Sequence, residues 1–391
     1  MNMVRVSELK ARLSEQPTPA YIWDLKMLDR RIVLVQEAFK PIPNFKLLYS
    51  VKANPSGQIL QHLVTQNIGV DICSVGELKR VREAGFSRDK IHICSLAPTQ
   101  DELTHFAEGG CAIDLDNVDD LAVWAKAIDG KEIENNIGLR VNPGISAGFS
   151  PFFGSGAWDA RFGVPLADLG EALRTAETFG ITVTGLHLHT GSSGYDPEPY
   201  MEGVKRTLTQ ASSCGFKLKY LNIGGGWGIP YSTRHEDMAP ESFPLHKFVS
   251  CLHTLLDEFG LLETVMVFAE PGEYLIGPCG YILCTVRRIV ERSNGAENRR
   301  IAIVDAGTHL FPGAALYEID SFVEVLNRTV TERAPQIIAG RTMLAGDMFG
   351  PEREMPLFEE KDVVLIGGAG AYSFAKKSSF NSLPDPQEII V

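Results

Sequence analysis

Eight short apolar runs, rich in β-branched residues, punctuate the first two thirds of this chain, and amphipathic stretches of helical spacing separate most of them. The runs are Lys46–Val51, Gly69–Ser74, Ile91–Ser95, Ala112–Asp116, Ile137–Asn142, Val183–His189, Tyr220–Gly224 and Val265–Glu270. Between them lie Ser56–Gln66, Val75–Glu83, Thr99–Glu108, Val118–Ile128, Leu166–Thr178, Tyr200–Ser213 and Leu245–Glu258. Such alternation predicts a (β/α)8 TIM barrel, with parallel strands inside and helices outside. A doubly wound open sheet is the competing architecture. The count of eight, and the polar residues at the ends of the runs, favour the barrel.

From about Tyr274 the pattern changes. Tyr281–Val290, Arg300–Asp305, Ser321–Leu326, Gln336–Ala339, Asp362–Ile366 and Glu388–Val391 read as strands without regular helices between them. The predicted fold class is therefore α/β: an N-terminal barrel over 26–272 and a C-terminal all-β domain over 273–391. The strand-like Tyr21-Ile22-Trp23 places residues 1–25 with the second domain. A chain of 391 residues suits two domains. The net charge of −12 argues against nucleic acid as a partner, because phosphates would be repelled. No run of about 18 apolar residues reads as a membrane span. Met1–Thr18 lacks the apolar centre of a signal peptide. Seven cysteines, an odd number without a CxxC pair, read as reduced single thiols. A cytoplasmic protein is the expectation.

The chemistry lies where the runs end. Lys52 closes Tyr49-Ser50-Val51-Lys52-Ala53-Asn54, just before the turn at Asn54-Pro55. An ammonium there is costly to desolvate unless it is paired or used covalently. One covalent use is a Schiff base to an aldehyde cofactor; the plain alternative is a surface lysine at a strand end. Asp71, Ser74, Ser95, Asp116, Arg140, Asn142, His187, His189, Gly224-Gly225-Gly226 and Glu270 stand at the other ends. In a barrel that end carries the active site. Consecutive glycines let backbone amides approach a phosphate, or simply make a tight turn; they form neither a P-loop nor a GxGxxG fingerprint. His187-Leu188-His189 alternates, which turns both imidazoles to one side. His189 suits stacking on an aromatic cofactor with Ser192 near its phosphate, whereas His187 reads as a core histidine. A metal site is not expected, since no HExxH or third ligand appears. Glu270, if it faced a pyridine nitrogen, would keep that nitrogen protonated and the ring a strong electron sink; an N-capping or loop glutamate is the plain alternative. Tyr372, in the small-residue turn Gly368–Ser373, is able to donate to a phosphate oxygen, or the turn is simply structural.

Taken in order, these segments resemble the fold type III, alanine-racemase-like, pyridoxal phosphate decarboxylases, of which diaminopimelate and ornithine decarboxylases are the best-known members. The match runs through Tyr49–Asn54, Asp71–Ser74 with Glu77, Leu139–Asn142, Arg161-Phe162-Gly163, His187–Ser192, Gly224–Gly226, Glu270-Pro271-Gly272, Val304–Gly307, Gly370-Ala371-Tyr372 and Phe380-Asn381-Ser382. The resemblance implies pyridoxal 5'-phosphate as cofactor, with Lys52 forming its Schiff base. It implies that His189 stacks on the ring, Arg140 contacts the side of the ring hydroxyl, and Glu270 pairs with the pyridine nitrogen. Asp71 and Gly272 fall in the cofactor-binding segments, and Gly225, Gly226, Ser192 and Tyr372 would hold the phosphate. It also implies a homodimer whose subunits share active sites.

Three departures bear on the substrate. The family's loop cysteine and its neighbouring acid correspond to Met343 and Leu344, within Gly340–Asp347, while Asp347 is kept. A thioether cannot donate a proton and leucine cannot bind an ammonium. The arginine expected after Glu-Pro-Gly is Glu273. Gly313 stands where diaminopimelate decarboxylases place an arginine for the distal carboxylate. These point to a divergent decarboxylase of an amino acid or amino-acid conjugate, similar to those of siderophore and antibiotic pathways, with a free or carrier-protein-bound substrate. His309 is a candidate for proton donation or substrate contact. Racemisation or epimerisation, a non-catalytic cofactor-binding homologue, and a metal-dependent barrel hydrolase are the alternatives.

Overall fold

The structure, a computed structural model, describes all residues except 1–8, 110, 132, 134–135, 149–153, 230–242 and 317–320. The first eight residues of the Met1–Thr18 segment therefore lie outside the described residues. The chain divides into two compact units, one from the described residues of Arg30–Ile229 and Glu241–Tyr274, the other from those of Met1–Asp29 and Leu275–Val391.

The first unit is a closed parallel barrel. After the N-terminal strand β1 (Ala20–Trp23), which belongs to the second unit, come β2 (Phe45–Ser50), β3 (Gly69–Ile72), β4 (Ile91–Ser95) and β5 (Ala112–Leu115). The barrel continues with β6 (Asn136–Asn142), β7 (Thr182–His187), β8 (Tyr220–Asn222) and β9 (Met266–Ala269). Each strand pairs in parallel with the next, and β9 pairs with β2 to close the ring. The open-sheet alternative is thereby excluded. Strands β3, β4 and β5 are buried on nearly every residue, as expected when helices cover the outer face.

The predicted helices form within a residue or two of their expected ends, except that Pro197–Ser213 begins three residues early and Leu166–Thr178 opens with a 3₁₀ turn. Helix Leu25–Ala38 was not anticipated. Several apolar runs were read too long. Strand β3 stops at Ile72, and Ser74 caps the next helix instead: its Oγ accepts from the Glu77 N–H at 3.2 Å, while Glu77 Oε2 accepts from the Cys73 N–H at 2.7 Å. This reciprocal cap explains one of the strand-end polar residues, Ser74, without any catalytic role.

The barrel interior is not wholly apolar. His92 on β4, Asp114 on β5 and Tyr220 on β8 meet inside it: Asp114 accepts from Tyr220 Oη at 2.5 Å and lies 2.8 Å from His92 Nε2. Two glycines make room for them. A Cβ on Gly138 would lie 2.0 Å from both Asp114 Oδ1 and Tyr220 Oη, and one on Gly185 would strike the Tyr220 ring at 2.1 Å.

The second unit is built on a mixed sheet. Its strands are β10 (Gly280–Ser293), β11 (Asn298–Val304), β12 (Val323–Val325), β13 (Arg333–Ala339), β14 (Arg353–Pro356), β15 (Val363–Gly367) and β16 (Gln387–Ile390). The order is β12-β15-β10-β11-β13-β14, with β1 antiparallel to β10 and parallel to β16. Thus the strand-like Tyr21-Ile22-Trp23 joins this sheet, as its sequence predicted. Leu9, Leu13, Ile22, Leu283, Leu365 and Val391 are among its core residues. Strand β14 was not recognised in the sequence, and Pro312–Leu316 adds a short helix.

Candidate active site

Strand β2 ends at Ser50, and the chain turns through a 3₁₀ segment, Val51–Ala53. Val51 and Ala53 are buried, which leaves Lys52 projecting with its side chain 46% exposed. The turn is held from behind: Tyr49 Oη donates to the Asn54 carbonyl at 3.0 Å, and Asn54 Oδ1 accepts from the Ser56 N–H at 3.1 Å. Gly272 packs against the same turn. A Cβ there would lie 2.8 Å from Ala53 Cβ and 3.1 Å from Ser50 Cβ. The glycine of Glu270-Pro271-Gly272 therefore serves close packing of the β9 exit on the β2 exit.

Lys52 Nζ donates to Ser50 Oγ at 2.6 Å and to Asp71 Oδ2 at 3.0 Å, and lies 4.0 Å from Cys73 Sγ. Ser50 Oγ in turn donates to Asp71 Oδ2 at 2.9 Å. Asp71 is buried, and burial alone would raise its carboxyl. The Lys52 charge and hydrogen bond outweigh that, with help from His187 and Ser50, and hold it below the usual carboxylate range. Burial pushes the Cys73 thiol up to about 12, so it stays protonated beside the lysine.

Strand β7 ends at His187, so the side-to-side alternation expected to carry both imidazoles does not continue to His189. The two rings take different partners. The Gly225 N–H donates to His189 Nδ1 at 3.2 Å, which places the ring proton on Nε2, 3.5 Å from Ser192 Oγ. Burial, then the nearby charges of Arg140 and Lys52, hold this imidazole well below its ordinary range, so it is neutral at pH 7. The Gly225 N–H thus serves the imidazole. Gly226 has a left-handed φ of 83°, and a Cβ there would lie 1.7 Å from the Gly191 carbonyl oxygen, so the two loops touch backbone to backbone.

Glu270 follows β9 and is buried. Asn222 Nδ2 donates to its Oε1. Burial and then Asp71 push this carboxyl up, against His187, Lys52 and His92. Arg140, on β6, reaches Asp116 Oδ1 at 3.1 Å and lies 4.6 Å over the Phe162 ring. Glu273 is turned away from solvent. Its Oε2 accepts from Ser193 Oγ at 2.6 Å, and its charge raises the nearby Tyr195 and Tyr200 phenols, although burial is the larger cause for both.

The barrel unit thus brings together Lys52, Asp71, His189, Ser192, Gly225, Glu270 and Gly272, with Arg140 close enough to act on the His189 charge. His309, Met343, Leu344, Asp347 and Tyr372 belong to the second unit. There, Asp347 accepts from the N–H and hydroxyl of both Thr308 and Thr342 at 2.5–2.9 Å, which ties the loop after β13 to the end of β11. Met343 is 85% exposed and Leu344 51%. His309 is buried, and burial lowers its ring below the ordinary range despite Asp347. Tyr372 sits at a left-handed φ of 61°. Sequence reasoning missed Ser50, Cys73, His92, Asp114, Tyr220 and Asn222 as neighbours of the site. The available signal was the polar residue inside apolar runs, as in Ile91-His92-Ile93 and Ile113-Asp114-Leu115.

These residues fit a pyridoxal group. They offer a reachable amine with a fixed carboxylate partner, a neutral imidazole, a second buried carboxylate, and a glycine loop whose backbone a Cβ would displace. Among the described residues no cluster of metal-ligating side chains is present.

Comparison with known proteins agrees. A family model described as "Pyridoxal-dependent decarboxylase, pyridoxal binding domain" matches residues 25–277. Diaminopimelate decarboxylase of Methanothermobacter thermautotrophicus is 31% identical over 384 residues, covering 96% of this chain and 87% of that protein. The crystal structure of diaminopimelate decarboxylase from Helicobacter pylori complexed with L-lysine superposes with a TM-score of 0.87 at 25% identity, over 96% of this chain and 92% of that one. In fold alone, lysine/ornithine decarboxylase from Vibrio vulnificus is also similar, with a TM-score of 0.83 at 21% identity over 100% of this chain and 99% of that one. The chain belongs to the pyridoxal-dependent decarboxylase family, is a pyridoxal phosphate-dependent carboxy-lyase, and carries the family's barrel and β-domain architecture.

Proposed function

We propose that this decarboxylase acts on an amino acid or amino-acid conjugate other than diaminopimelate or ornithine, with Lys52 as the residue that holds the cofactor's aldehyde. The observation that carries the assignment of the centre is the Lys52–Ser50–Asp71 cluster on the same barrel rim as His189 and Glu270. When bound, the cofactor supplies an electron sink for the pair released as the substrate's Cα–carboxylate bond breaks. Asp71 and Ser50 fix the direction of the Lys52 amine. Glu270 offers a buried carboxylate to the pyridine nitrogen, and His189 presents a neutral ring face. Arg140 is assigned to the ring hydroxyl side, and Ser192, Gly225, Gly226 and Tyr372 to the phosphate, by the resemblance of their segments. Carbon dioxide leaves and Cα takes up a proton.

The substrate reading rests on Met343, Leu344, Gly313 and Glu273. A thioether and an isobutyl group stand where a proton donor and an ammonium ligand are expected, and His309 is the alternative donor. The names of the relatives favour diaminopimelate instead. A mass-spectrometric screen of the loaded enzyme separates these readings. It offers diaminopimelate, ornithine, lysine and enlarged amino acids, both free and carrier-bound, and follows loss of carbon dioxide. Turnover of an enlarged or carrier-bound substrate with diaminopimelate inert is the expected result; efficient conversion of diaminopimelate would replace our reading. Lys52→Ala should abolish both turnover and the visible absorbance of bound cofactor; activity surviving that change removes the assignment of Lys52.

A further inference from the structure

Beneath the rim, inside the barrel, His187 occupies a position that cofactor binding does not itself require. Its ring is buried, with Nδ1 3.2 Å from Asp114 Oδ2 and Nε2 3.6 Å from Glu270 Oε1. Each ring nitrogen thus faces a carboxylate oxygen, the Nδ1 contact being the shorter. Filling space would need only a leucine or phenylalanine, whereas a buried ring with two polar atoms is costly unless its charge or dipole serves its neighbours. Those neighbours are two carboxylates. His92 Nε2 meets the same Asp114 Oδ2 at 2.8 Å, Tyr220 Oη donates to Asp114 Oδ1 at 2.5 Å, and Asn222 Nδ2 donates to Glu270 Oε1.

We propose that His187 is a positioning residue that bridges the Asp114–His92–Tyr220 cluster to Glu270 and so sets the orientation and charge of the carboxylate at the rim. The inference rests on the reading that Glu270 serves the cofactor. The groups acting on Glu270 come from several strands: Asp71 from β3, Lys52 from the β2 exit, His92 from β4 and His187 from β7, with Asn222 of β8 in contact. Burial and Asp71 raise its carboxyl, and His187, Lys52 and His92 oppose them. Without His187 the carboxylate takes up its proton at higher pH, so the acidic limb of activity moves upward.

The test uses the loaded enzyme and the variants His187→Phe, His187→Gln and Glu270→Gln. The pH dependence of kcat is measured beside that of the bound cofactor's visible spectrum and the cofactor dissociation constant. His187→Phe should move the acidic limb and the spectral midpoint up by roughly one pH unit. His187→Gln, which keeps a hydrogen-bond donor without the imidazole, should fall between wild type and His187→Phe. A His187→Phe profile superimposable on wild type, while Glu270→Gln is strongly altered, overturns the bridge alone. If Glu270→Gln changes neither spectrum nor profile, Glu270 does not serve the cofactor and the bridge falls with it. Should the variants fail to fold, ring ¹⁵N shifts in wild-type protein decide: the His187 signal is expected to move on cofactor loading, and an unmoved signal overturns the proposal.

Discussion

Lys52 and Asp71 illustrate how a residue's role depends on what surrounds it. A half-exposed lysine at a strand end costs little and reports nothing by its type. Here its ammonium has two directed partners, and one of them is a buried carboxylate whose charge the lysine does most to hold against burial, with His187 and Ser50 assisting. Replacing Asp71 with Asn keeps the shape and removes the charge. Hydrogen bonds to charged groups contribute about 1.5–3 kcal/mol, so kcat/KM of the loaded enzyme should fall by about 10–100-fold. Ser50→Ala should cost less, because Asp71 still holds Nζ. Equal losses in the two variants would mean that the carboxylate has no special part. Lys52, Asp71, His189 and Glu270 were legible in the sequence because each stands where an apolar run stops. Ser50 was not, since nothing in a strand of apolar residues says which way its last hydroxyl turns.

Among the elements, the loops after β7 and β8 decide the shape of the rim. Gly191 and Gly226 meet backbone to backbone, and Gly226 also needs a left-handed φ. Gly226→Ala should therefore lower stability by an amount on the order of 1–3 kcal/mol and weaken cofactor retention, read by thermal melts with and without added cofactor. Gly57→Ala is the control. It lies in helix Gly57–Thr65 with open space around its Cβ position, so melts should show it neutral or slightly stabilised. A glycine run in a sequence does not distinguish these cases: Gly225 and Gly226 were read as a phosphate cradle, and close loop packing is the constraint the structure adds. Likewise Ser74 reads as a site residue from its place at a strand end, and its hydrogen bond with Glu77 shows a helix cap.

For the molecule as a whole, the His92–Asp114 pair is a buried interaction that couples stability to pH. Burial works against a charged His92 ring, but Asp114 holds it up to about 9 from an ordinary 6.5. Its contribution is fully present below 6.5 and lost as pH rises through about 9. Asp114 shows the other side of the same interaction: burial opposes its charge, His92 and His187 lower its carboxyl, and its stabilisation is lost only in strong acid. Thermal midpoints should fall between pH 6.5 and 9 in wild type, and that slope should flatten in His92→Gln. An unchanged slope would place the pH dependence elsewhere. The homodimer implied by the resemblance finds support in Met343, Leu344 and Phe380, apolar and exposed on neighbouring loops joined by the Met343 N–H to Asn381 Oδ1 at 2.8 Å. Met343→Glu should shift sedimentation from dimer toward monomer, and a dimer unaffected by that change would locate the contact on another face.

Periodicity indicated alternating strands and helices followed by a β-domain, because burying one face of each element dictates where apolar residues recur along a chain; the count of eight runs and their polar ends favoured a barrel over an open sheet. The order of motifs indicated the cofactor through the family it resembles. Only the tertiary structure decided which polar groups meet. His92, Asp114, His187 and Tyr220 are far apart in sequence, and nothing in their own strands says that they meet. Closure of the ring brings β4, β5, β7 and β8 around one interior, and Gly138 and Gly185 leave the volume that a ring and a carboxylate fill. Only folding, likewise, turned Glu273 onto Ser193, because a side chain's direction follows from its neighbours in space and not from its neighbours in sequence.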